Sequence, residues 1–151
     1  MSFDFENELD SASDDDKLEK LREKFFSFLY KKACTSGQAA EYLSRLEVPE
    51  NFFDLLLNEA INLGLIDDEA YAKLFFDGHL SWGNAKISHE LSQRGVPREI
   101  IQEVLNFGEE EESRVSEIIQ DLQKLGLDER KIINRLLSRG FSYKSIKTIR
   151  N

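Results

Sequence analysis

Asp67 and Asp68 are adjacent carboxylates, the residue types that acid–base or metal chemistry would use. Such a site also needs a histidine, a second carboxylate cluster or a phosphate-binding loop, and none accompanies the pair. The same two residues lie between Gly64 and Glu69, where one helix should end and the next begin. A carboxylate there accepts orphan N–H bonds and complements the helix dipole. The two histidines, His79 and His89, are ten residues apart rather than the three or four that put two ligands on one helical face. Cys34 is the single cysteine. It rules out a disulfide within these residues and a four-thiolate zinc site, and it reads as a small buried hydrophobe. No catalytic residue, cofactor or metal is expected.

Charge is the other candidate for function. Residues 1–77 carry 8 Lys/Arg against 18 Asp/Glu, a net −10, whereas residues 78–151 carry 12 against 11. The last 24 residues reach +5 through Arg130, Lys131, Arg135, Arg139, Lys144, Lys147 and Arg150. A bulk nucleic-acid binder is basic throughout. Here only the C-terminal end offers a phosphate-facing patch, and a solvated helix face explains the same residues.

These side chains need elements to hold them. The 151 residues are 40% hydrophobic and 32% charged, enough for one modest domain or a short array of repeats. No apolar run approaches the ~20 residues that cross a bilayer. The acidic start, Met1 to Glu6, does not look like a signal or transit peptide, so a cytoplasmic protein is expected. Residues 1–16 read as an acidic disordered arm with three possible uses: solubility, screening of the basic end, or charge mimicry of DNA. From Lys17 the apolar residues recur at three- and four-residue steps: Leu18, Leu21, Phe25, Phe28 and Leu29, then Val115, Ile118, Ile119, Leu122 and Leu125. Pro49 and Pro97 stand where helices should begin. Gly64, Gly95, Gly126 and Gly140 stand where they should end. Asp67, Ser81 and Asp128 are expected N-caps, and Thr35 with Gln38 has the form of a capping box. The class is all-α.

The chain also resembles itself. Leu43 to Pro49 (LSRLEVP) lies 48 residues before Leu91 to Pro97 (LSQRGVP), and a further 45 residues on stands Leu136 to Ser142 (LLSRGFS). Lys86 maps onto Lys131, Arg94 onto Arg139, and Ile101 onto Ile146. We read three tandem three-helix repeats, 17–64, 67–107 and 111–150. Each is too small to bury its own face well, so stacking into an elongated, curved solenoid-like body is expected. Glu47 takes the place that the cap glycine holds in the later copies. One stacked array needs no partner to close its core, so a monomer is expected.

In order and spacing these motifs resemble the RecX family, regulatory proteins of the RecA recombinase, over residues 17–151. Leu65-Ile66-Asp67-Asp68-Glu69-Ala70-Tyr71-Ala72 is similar to the family's stretch after the first repeat. Trp82-Gly83-Asn84-Ala85-Lys86-Ile87, followed by Glu90-Leu91 and Arg94-Gly95-Val96, is similar to its second signature. Ile132-Ile133 to Arg139-Gly140-Phe141 is a weaker third copy. Two departures concern DNA contact: Glu109 to Glu112 is acidic where the family is often basic, and Lys86 stands where arginine is common.

The resemblance implies a non-enzymatic regulator that binds the RecA–single-stranded DNA filament, reaching DNA through that filament. It would limit filament extension, ATP hydrolysis, strand exchange and co-protease action. The surface would be a row of repeat-equivalent cations: Lys86, Arg94 and Arg98 from the second repeat, then Arg130, Lys131, Arg135, Arg139, Lys144 and Lys147 from the third. Trp82 is a core residue or an interface anchor. Asp67, Asp68, Tyr71, Ala72, Ile87, Leu91, Gly95 and Gly140 are read as framework, with Tyr71 and Ala72 packing between repeats. Gly83 either lets two backbones approach or exposes N–H groups to an anion. The competing reading is a helical-repeat protein–protein adaptor outside recombination.

Overall fold

Each short apolar stripe of this sequence becomes one helix, and the helices group by three. The structure, a computed structural model, describes residues 14–150. Repeat 1 contains α1 (Asp14–Lys31), α2 (Ser36–Arg45) and α3 (Glu50–Asn62). Repeat 2 contains α4 (Asp68–Asp77), α5 (Asn84–Gln93) and α6 (Arg98–Phe107). Repeat 3 contains α7 (Glu111–Lys124), α8 (Glu129–Ser138) and α9 (Tyr143–Arg150). No strand occurs among the described residues, and no helix there is long and apolar enough to cross a membrane. Helix α1 takes in Asp14, Asp15 and Asp16, three residues assigned to the acidic arm from sequence. Carboxylates in a first turn face the positive end of the helix dipole, which favours helix over coil there. The rest of that arm lies outside the described residues.

Local signals set most helix ends. Gly64, Gly95, Gly126 and Gly140 all have φ between 76° and 90°, and Glu47 takes the same left-handed conformation at 56°. Thr35 and Gln38 close a reciprocal capping box, and the Asp128 carboxylate accepts the Lys131 N–H at 2.9 Å. Pro49 and Pro97 sit one residue before the first helical position, in extended conformation at the N-cap. Ser81 is not an N-cap: Gly83 holds that position for α5.

The chain forms two compact units, residues 1–68 and 69–151. In the first, Leu21, Phe25, Leu43, Leu56 and Ala60 are wholly buried in one cluster. Cys34 is buried in it too, at 5% exposure. Burial, together with the nearby Asp68 charge, pushes the Cys34 thiol up, which disfavours a nucleophilic thiolate. The Phe28 and Tyr42 rings stack at 4.0 Å. The second unit holds two clusters. One is built on Ala72, Phe75, Phe76, Ile87, Leu91, Val96, Ile101 and Val104. The other is built on Val115, Leu122, Ile132, Leu136, Phe141 and Ile146. Ile101 and Ile146, equivalent by repeat, are core residues in both.

A basic–aromatic cluster and the buried arginine behind it

In the first unit, the Asp68 carboxylate accepts the Ser36 N–H at 2.7 Å and the Ser36 hydroxyl at 2.5 Å. It therefore completes the N-terminus of α2, 32 residues earlier. Acid–base chemistry with Asp67 is thereby disfavoured. Among the described residues no three His, Cys, Asp or Glu side chains are placed to hold a metal.

In the second unit, α4 and α5 bring a connected set of rings and cations together. The Phe75 and His79 rings, four residues apart and so on one side of the chain as it leaves α4, stack at 4.0 Å. Trp82 meets Phe75 edge-on at 6.0 Å and His79 at 4.4 Å. The Lys86 ammonium lies 4.1 Å over the Trp82 ring. The Arg94 guanidinium lies 4.9 Å over Phe75, donates to the Tyr71 hydroxyl at 2.9 Å and approaches Glu90 at 3.8 Å. The hydrogen bond to Tyr71 and the Glu90 charge raise the Arg94 pKa, against the opposing effect of burial. Cations held on aromatic faces are pre-positioned, with little side-chain entropy left to lose.

This cluster joins the third repeat at Gly83. Its N–H donates to the Arg139 carbonyl at 2.8 Å, and a Cβ on Gly83 would fall 2.1 Å from the Gly140 oxygen. A Cβ on Gly140 would in turn lie 2.4 Å from Lys86 Cβ. Two backbones touch here, so the close-approach reading of Gly83 holds. The anion reading fails because the amides are occupied: the Asn84 N–H donates to Glu111 Oε1 at 2.9 Å.

Glu111 also accepts from Ser145 Oγ at 2.6 Å and Ser142 Oγ at 3.0 Å. Burial works to raise its pKa, but the bonds from Ser145, Asn84 and Ser142 and the Arg114 charge together hold it below the ordinary carboxylate value. Arg114 is 2% exposed. It donates to the Leu80, Trp82 and Glu109 carbonyls and to Asn84 Oδ1. Its guanidinium lies 5.0 Å from the Phe76 ring and 5.7 Å from Phe141, one from each core of this unit. Burial lowers its pKa, opposed by Glu111 and Glu109. This arginine clamps the α4–α5 connection, and with it Trp82, onto α7.

The residues singled out from sequence therefore divide. Trp82, Gly83, Lys86, Gly140, Tyr71 and Arg94 meet in one arrangement that reaches the Arg139–Gly140 turn. Arg98 opens α6, Arg130, Lys131 and Arg135 lie on α8, and Lys144 and Lys147 on α9, all exposed. Ala72, Ile87 and Leu91 are wholly buried, and Gly95 caps α5. Ala72 is buried in the core of repeat 2 and Tyr71 packs against that core. Sequence reasoning passed over Phe75 and Arg114, weighed His79 only as a metal ligand, and read Glu111 only as part of an acidic stretch. The signal for Arg114 is register: it follows Glu111 by three residues, as Tyr71 follows Asp68.

The fold defines a class, proteins built of tandem three-helix units. Residues 67–105 match the second three-helix domain of RecX. The chain is 32% identical over 132 residues to the regulatory protein RecX of Lactococcus lactis subsp. lactis, covering 78% of this chain and 48% of that protein. It is 28% identical over 145 residues to the RecX of Clostridium botulinum, covering 89% and 68%. The crystal structure of RecX from Lactobacillus salivarius shares its fold, with a TM-score of 0.74 at 24% identity over 89% of this chain and 94% of that one. In sequence and in fold this chain is similar to RecX proteins over most of its length. It spans about half the length of several curated relatives it matches.

Proposed function

We propose that this protein docks on the RecA–single-stranded DNA filament and limits its extension, and with it ATP hydrolysis, strand exchange and co-protease action. It acts as a non-enzymatic, monomeric, cytoplasmic regulator. The observation that carries the reading is the connected Arg94–Phe75–Trp82–Lys86 arrangement, which lies within the residues that match the RecX domain. Arg98, Arg130, Lys131, Arg135, Arg139, Lys144 and Lys147 extend the positive charge through repeats 2 and 3. A filament repeats its own surface, so modest contacts at successive sites add through effective concentration. Charge steers the encounter, so binding weakens with salt.

The test is the ATPase of the cognate RecA on single-stranded DNA, titrated with this protein well below the recombinase concentration. Strong substoichiometric inhibition is expected, and inhibition only near equal ratios would indicate coating along the filament. No effect together with no binding would remove the recombinase and leave the adaptor reading. Reversing the charge of Arg135 and Arg139 should weaken binding, and unchanged affinity would sink the C-terminal basic face as a contact.

A further inference from the structure

A second surface of repeat 2 has the opposite character. Helices α4 and α6 leave a groove of ≈ 590 Å³ between them. Phe76, Val104 and Phe107 form its apolar part, and Glu69, Asp77 and Glu103 its acidic part. Its one cation, Lys73, is already paired with Glu69 at 2.9 Å. Phe107, the last residue of α6, is 87% exposed. Gly108 presses against the Phe76 ring, where a Cβ would lie 2.5 Å away. The backbone thus occupies the space beside Phe76, and the Phe107 ring stays outside the core. Leu74, on α4, is 74% exposed.

Leaving the Phe107 ring in water forgoes burial that would otherwise favour folding. The surrounding charge selects the occupant. Glu69, Asp77 and Glu103 on the groove repel nucleic acid and anionic lipid. They attract a polypeptide that carries cations beside an apolar anchor.

We propose that the α4–α6 groove docks a basic amphipathic segment of a partner protein. An apolar side chain of that segment packs on Phe107 and Val104, and its lysine or arginine side chains pair with Asp77 and Glu103. Aromatic anchors supply most of the energy at such contacts, and the charges supply orientation and on-rate. This surface shares no residue with the basic–aromatic cluster, and its test does not involve the recombinase.

The experiment titrates the full chain against a labelled helical Leu/Lys peptide and, as control, an oligolysine of equal charge, by fluorescence anisotropy. The amphipathic peptide should bind and the oligolysine should bind at least about tenfold more weakly. Phe107→Ser should weaken peptide binding about tenfold or more. Asp77→Lys with Glu103→Lys should do the same and remove the salt dependence. Phe107 is exposed, so its variant should keep the parent melting curve by circular dichroism. Equal affinity for the two peptides, or a Phe107→Ser variant that binds normally, would overturn the proposal. So would a Phe107-dependent self-association in sedimentation, which would make a second copy the occupant.

Discussion

Helices α2 and α5 hold the same place in their repeats, yet their N-termini are finished by different means. At α2 the work is mostly local. Thr35 accepts the Gln38 N–H, Gln38 returns the bond at 3.1 Å, and Asp68 adds one distant carboxylate. At α5 the N-cap is Gly83, which has no side chain to offer. The amides there are taken by the Arg139 carbonyl and by Glu111, and the connection before them is clamped by Arg114. A helix capped by its own neighbours has its end fixed locally, although packing must still stabilise a helix of ten residues. A helix capped from 27 and more residues downstream forms together with the repeat that supplies the cap. The consequence is visible in the molecule: repeats 2 and 3 make one compact unit, residues 69–151.

The comparison breaks hardest at Arg114. Arg114→Met keeps length and loses every N–H, leaving buried carbonyls without donors. We expect a loss of about 3 kcal/mol or more by urea unfolding, because a buried group stripped of its partner keeps its desolvation cost. A loss below about 1 kcal/mol would mean water satisfies these carbonyls. Gly83→Ala comes next. Its methyl would collide with Gly140 backbone, which cannot rotate away, so about 2 kcal/mol is expected. Gly126→Ala is the control: at φ 85° with open space around it, it should cost nearer 1 kcal/mol. Equal effects would show that strain of the turn, not contact between repeats, is what matters.

On the local side of the comparison, Thr35→Ala should cost about 1 kcal/mol. Hydrogen exchange should show the change confined to residues 14–68, whereas Arg114→Met should raise exchange in both repeats of the second unit. Glu111 provides the smallest and most specific test. Its folded pKa lies below its ordinary value of 4.5, so the carboxylate form is favoured by folding. Its contribution is complete above the unfolded pKa and is lost as pH falls through the folded one. In Glu111→Gln that acid limb of the stability curve should flatten. An unchanged acid limb would show that Ser142, Ser145 and Asn84 hold the glutamate no better than water does.

Helix boundaries were legible in the sequence because they rest on residues within four positions of one another. Left-handed glycines, the Thr35 box and the Asp128 cap need no knowledge of the fold. Even Glu47 could be placed in the glycine position by aligning the copies. Ser81 misled because its type suits a cap, while the position itself was decided by the backbone contact at Gly83. The candidate site was half legible. Trp82, Lys86 and Arg94 stand in recognisable motifs, but Phe75, which joins Trp82 to Arg94, looks like any core residue in an amphipathic stripe.

The sequence by itself determined that this is an all-helical chain of three related units with its positive charge in the later two, because periodicity, turn chemistry and composition act over short range. Only the tertiary structure decided which charges face solvent. Arg114 reads like its neighbours on a polar helix, yet it is buried. Phe107 reads like core, yet it is exposed. Both outcomes depend on which backbone atoms of other helices arrive beside them, and that is a property of packing at a distance rather than of any local stretch of residues.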